Sequence, residues 1–71
     1  MMTPEQFRAK VESFLADTGM APTRFGREAL GDPNLVFQIR AGRAPSLRVA
    51  TKVLTFISEA RTKALSEERA A

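Results

Sequence analysis

The four prolines and three of the four glycines of this chain alternate in a fixed order, and that order dictates what it can fold into. Pro4 is followed by Gly19, Pro22 by Gly31, Pro33 by Gly42, and Pro45 by an uninterrupted stretch to the last residue. Proline suits the first turn of a helix, where its missing N–H leaves no bond unmade, and glycine suits the left-handed residue that closes one. The pattern predicts four helices and no strands, with the middle two short and joined by a tight turn.

The flanking residues sharpen each boundary. Thr3-Pro4-Glu5-Gln6 offers a threonine N-cap, proline in the first position and glutamine where a capping box needs it. Phe7, Val11, Phe14, Leu15 and Thr18 then recur at three- and four-residue spacing, the period of one helical face. The second helix begins at or just after Pro22, with Phe25, Gly26, Ala29 and Leu30 inward. Asp32-Pro33 reads as N-cap and first position of a third helix, 33–41, with Leu35, Val36 and Ile39 as its apolar stripe. Arg43-Ala44-Pro45 is a loop, and Ser46 caps a long last helix from about residue 47.

Composition removes several classes of function. In 71 residues there is no cysteine, histidine, tryptophan or tyrosine. Disulfides are impossible, a Cys/His zinc site has no ligands, and the commonest general base and the thiolate nucleophile are missing. The serines, Ser13, Ser46, Ser58 and Ser66, have no imidazole beside them, and the paired carboxylates Glu67–Glu68 sit in a polar tail. These features argue against an enzyme and imply no cofactor, metal or small-molecule ligand. The longest apolar run free of alanine is Leu35-Val36-Phe37, far short of the ~20 residues of a membrane span. With no signal-like segment either, the expected location is cytoplasmic.

Charge gives the first positive indication. The net charge is +3, but residues 1–20 sum to −1 and residues 53–71 to 0. Residues 21–52 carry Arg24, Arg27, Arg40, Arg43, Arg48 and Lys52 against Glu28 and Asp32, a sum of +4. A localised basic segment on a small domain is the footprint of a polyanion partner or of a solvated basic surface.

Two short helices around a glycine-containing turn, inside a basic segment, form a helix-turn-helix pattern. Such a corner needs a small residue where the helices cross, and Gly26 supplies it. It also needs apolar anchors behind the second helix, and Val36 and Ile39 fall ten and thirteen positions later. Turning Leu35, Val36 and Ile39 inward turns Asn34, Phe37, Gln38 and Ala41 outward, at about 100° per residue. The resulting face is short, uncharged and bounded by arginines, which suits a major-groove floor between phosphate rails.

The stretch from about Met20 to Ile57 resembles the Cro/lambda-repressor-type helix-turn-helix family, including its small phage- and mobile-element-associated regulators. Phe25-Gly26, Ala29, Val36, Ile39, Gly42-Arg43 and Pro45-Ser46-Leu47 carry the resemblance. Two positions depart from it. Leu30 stands where the turn glycine is usual, so the turn is expected around Gly31-Asp32-Pro33, and Thr23 stands where glutamine often opens the second helix. The resemblance implies an all-α, lambda-repressor-like, compact four-helix domain. It would span residues 1–71, with its helix-turn-helix at about 22–42. It also implies a sequence-specific regulator of transcription, a repressor foremost, bound to double-stranded DNA of the nucleoid. On that footing Asn34, Phe37, Gln38 and Ala41 are the expected base contacts. Gln38 would pair with adenine, and Phe37 would lie on thymine methyls or against a partner helix. Thr23, Arg24, Arg43, Ser46 and Arg48 are the expected phosphate contacts. Asp32 would repel phosphate and is expected to cap instead.

The last helix carries more apolar surface than one small core requires. Val49, Ala50, Val53, Leu54, Phe56, Ile57, Ala60, Ala64 and Leu65 cover nearly half its circumference, against the stripe of about 100° that one core needs. The surplus, notably Phe56 and Leu65, either packs a second subunit or buries the first helix. A homodimer on a palindromic site is the expected assembly, since such dimers read half-sites about 34–36 Å apart. The alternative function is a protein-interaction module, antitoxin-like or accessory, on the same scaffold. A membrane-surface helix is disfavoured, because the last helix is nearly neutral beyond Lys52.

Overall fold

The computed structural model describes the backbone of residues 3–70 and the side chains of residues 3–63. It is all-helical over that range: α1 spans Pro4–Thr18, α2 Pro22–Leu30, α3 Leu35–Arg40 and α4 Leu47–Ala70. Local chemistry accounts for the ends. The Thr3 side chain accepts from the Gln6 N–H at 3.1 Å, and the Gln6 side chain accepts from the Thr3 N–H at 2.9 Å. The expected capping box is therefore complete. Gly19 and Gly31 close α1 and α2 in the left-handed conformation, as the departure from the usual turn at Leu30 required. Ser46 caps α4, its Oγ accepting from the Val49 N–H at 3.3 Å.

One boundary differs from the reading of the sequence. Helix α3 begins at Leu35, two residues after Pro33, and ends at Arg40, with Ala41 as its cap. The reason is a tight turn over Asp32-Pro33-Asn34. The Asp32 carboxylate accepts from the Asn34 N–H at 2.9 Å, and the Asp32 carbonyl accepts from the Leu35 N–H at 3.2 Å. That second bond closes a three-residue turn, so the four-residue helical ladder starts only afterwards. Asp32 is therefore not the N-cap expected of it: that position falls to Asn34, whose side chain makes no cap bond, and the Asp32 carboxylate closes the preceding turn instead.

The core is apolar throughout. Phe7, Val11, Phe14 and Leu15 of α1, Phe25 of α2, Leu35, Val36 and Ile39 of α3, and Val53 and Ile57 of α4 form one buried cluster. No polar or charged side chain is buried among the described residues. Three rings meet where the half-buried Phe56 packs against this cluster: Phe14 and Phe25 at 5.4 Å, Phe25 and Phe56 at 5.5 Å, Phe14 and Phe56 at 6.0 Å between centroids. Tilted and edge-on pairs of this kind add about 0.5–1.5 kcal/mol each beyond their burial. The trio ties α1, α2 and α4 into one body. Phe56, a candidate for a dimer interface, is thereby engaged within the chain, the second of its two expected roles. Leu65, the other candidate, and Ala64 lie outside the described residues. Among the described residues no helix is long and apolar enough to cross a membrane.

Candidate nucleic-acid interface

The surface around α3 is set by how closely α2 and the following turn approach each other. A Cβ on Gly26 would collide with the Asp32 carbonyl oxygen and press on the Leu35 Cβ at 3.1 Å. The Asp32 N–H donates to the Gly26 carbonyl at 3.1 Å, which locks the approach. Gly26 is therefore the small residue where α2 meets the turn, and even a methyl group there would force the backbone to shift. Leu35, Val36 and Ile39 then bury one side of α3. Its far end is fixed by a Schellman closure: the Gly42 N–H donates to the Ile39 carbonyl and the Arg43 N–H to the Gln38 carbonyl, both at 3.1 Å. Gly42 makes this possible with φ +94°.

Three of the four candidate base-contacting residues fall on the opposite side, and Gln38 flanks them. Asn34, Phe37 and Ala41 are exposed, Phe37 to 50% despite its size. Asn34 uses no side-chain atom to cap the helix. Gln38 is half-buried at the edge of this face, where its Oε1 accepts from Arg43 Nη1 at 3.2 Å. Gln38, Arg43 and Ser46 line one open groove of about 490 Å³, together with Asp32, Leu35 and Val49.

The candidate phosphate contacts are less uniform. Thr23 is half-buried in the first turn of α2, where Ala21 provides no side-chain cap. Arg24 is exposed, but its Nε donates to Glu28 one turn on at 2.6 Å. The Ser46 hydroxyl caps α4 and keeps its own proton for another acceptor. Arg43 and Arg48 are exposed, and among the described residues they, Arg27 and Lys52 form no ion pair.

Two features were not identified from sequence. The Arg40 guanidinium grips Glu12 of α1 with two bonds, 2.9 and 2.7 Å. That pair holds the Glu12 carboxyl below its ordinary value, first through the hydrogen bond from Arg40, and raises Arg40 in turn. Its partners are 28 residues apart, so no local spacing announces it. The second is Leu47, 85% exposed beside a surface depression lined by Pro4, Phe7, Pro45, Ala50, Thr51 and Leu54. The only signal is angular: Leu47 sits roughly 120° around α4 from the buried Val53. No family model, no curated protein and no solved structure matches this chain.

Proposed function

We propose that the protein is a sequence-specific double-stranded DNA-binding regulator of transcription, foremost a repressor, that lays α3 in the major groove. In this reading α2 and α3 are a helix-turn-helix, and the protein acts as a homodimer on a palindromic site. One observation carries it. Around a six-residue helix held from behind by Leu35, Val36 and Ile39, the outward residues are Phe37 and the flanking Asn34 and Ala41, while Arg43 and Arg48 stand beyond its end without ion-pair partners among the described residues. A helix is about 10–12 Å across, and the major groove about 12 Å wide. Uncharged groups on the groove floor with cations at the rails match that shape and potential. Arg24 joins them by exchanging Glu28 for phosphate, since an exposed i,i+4 pair contributes little. The second reading, a protein-interaction module, is favoured by Leu47, whose depression contains no residue of α2 or α3.

The test is selection of bound fragments from the host genome by the purified protein at near-physiological salt. The expected result is a small set of sites sharing a palindrome with half-sites about one helical turn apart. On the best site, log affinity should fall linearly with log salt, and Arg43→Ala or Arg48→Ala should each reduce the slope by about 0.9. Uniform weak binding without enrichment would overturn the DNA reading and leave the protein-interaction module.

A further inference from the structure

We infer that Phe37 reads the C5-methyl group of a pyrimidine in the major groove, so that one position of the bound site accepts thymine or 5-methylcytosine and discriminates against unmethylated cytosine. The inference rests on the DNA-binding reading above and chooses between the two roles expected of the ring. Phe37 lies near the middle of α3 and is 50% exposed, although every other phenylalanine is buried or half-buried. Its neighbours leave the ring as the central group of the outer face. Arg40 is drawn towards α1 by its two bonds to Glu12, 2.9 and 2.7 Å. Gln38 is half-buried at the edge, where its Oε1 accepts from Arg43 Nη1 at 3.2 Å. Ala41, one turn on, is exposed and adds only a methyl group. Asn34 lies a turn away at the other end, as the N-cap.

What such a centre can recognise follows from the chemistry of the groove. A phenyl ring makes no conventional hydrogen bond. Pressed against N7, O6 or an amino group, it would strip water from a polar atom and replace nothing. The apolar feature of the major-groove base edges is the C5-methyl group of thymine, and phenylalanine is among the side chains that contact it. Cytosine methylated at C5 carries the same group at the same ring position, whereas cytosine and uracil carry hydrogen there. Thymine and 5-methylcytosine differ at the neighbouring position, in an oxygen and an amino group that the ring does not bond. Removing one such carbon from water changes affinity by about fourfold.

Titration of the full chain with duplexes that differ by one methyl group tests this. Replacing each thymine of the best selected site by uracil in turn should reveal a position at which affinity falls about fourfold. A cytosine–guanine pair placed there should bind better by about the same factor once the cytosine is methylated at C5. Phe37→Ala should bind the thymine and uracil duplexes alike at that position and ignore cytosine methylation. Phe37→Leu, still apolar, should keep part of both differences. Circular dichroism checks that each variant is folded. Equal binding of thymine and uracil duplexes by the parent at every position would overturn the inference. So would a uracil penalty that persists undiminished in Phe37→Ala, which would assign the methyl group to another side chain, or a position at which cytosine methylation changes nothing. Failure to enrich any duplex would overturn the DNA reading and this inference with it, an outcome distinct from the others.

Discussion

The two sides of α3 differ sharply in burial. Leu35, Val36 and Ile39 are 4%, 0% and 5% exposed, whereas Phe37, between them in sequence, is 50% exposed. The inward residues close a core to which all four helices contribute, and the side chains of Asn34, Phe37 and Ala41 make no hydrogen bond or ion pair among the described residues. Six residues thus separate two jobs by rotation alone, at about 100° per step. The inner side answers to packing, so changes there are read in stability. The outer side is free to answer to a partner, so changes there should be read in binding.

The comparison breaks most severely where α3 is held against α2. Replacing Gly26 with leucine puts a side chain where the Asp32 carbonyl oxygen and Leu35 already stand. Overpacking costs about 1–3 kcal/mol and sometimes more, while a core of this size supplies only about 3–5 kcal/mol. Gly26→Leu should therefore lose a large share of the chain's stability and melt far below the parent by circular dichroism. Gly26→Ala should fold with a melting temperature lower by roughly 4–8 °C per kcal/mol lost. Since the obstructing atom is backbone, the neighbour has no rotamer to yield. An alanine variant as stable as the parent would remove the close approach as the reason for glycine.

The outer side is sharpened by Phe37→Ala. An exposed side chain away from caps and core should change stability by no more than about 0.5 kcal/mol. On the DNA-binding reading, affinity for the selected duplex should fall severalfold, and for random duplex hardly at all, because that reading sets the ring against bases and not phosphates. Titration with labelled duplexes, alongside thermal melts, measures both. A large stability loss that depends on protein concentration would place the ring between copies of the chain instead.

Much of this division was legible from residue order. Thr3, Gly19, Gly31 and Ser46 act within one or two turns of themselves, so their chemistry stands beside them in the sequence. Val36 and Ile39 face inward because a helical period allows little else once Phe25 and Gly26 are placed. The start of α3 was displaced for a tertiary reason: the Asp32 backbone is drawn onto Gly26, and the turn tightens to accommodate it. The fate of Phe56 depended on Phe14 and Phe25 arriving from two other helices, which periodicity along α4 does not reveal. The link between Gln38 and Arg43 was also hidden, although both residues had been singled out. It needs the left-handed turn at Gly42 to bring a residue from beyond the helix back onto its last turn.

The smallest expected effect belongs to Arg40, which stands on the border between the two sides and ties α3 to α1 through Glu12. Both partners are partly exposed, so the pair contributes modestly and is weakened by salt. Its signature is pH. The Glu12 carboxyl is held below its ordinary value of 4.5 in the folded chain, chiefly by the hydrogen bond from Arg40. A group depressed on folding stabilises above its unfolded value, and that stabilisation is lost as pH falls through the folded value. Arg40 stays charged throughout, since the bond to Glu12 raises it further above its ordinary value. Glu12→Gln should therefore melt a few degrees below the parent at pH 7, and the two curves should converge once the pH is below the folded value of Glu12. Added salt should narrow the gap at pH 7 in the same direction. A gap of equal size at pH 7 and in acid would mean that shape, and not charge, holds the last turn of α3 against α1.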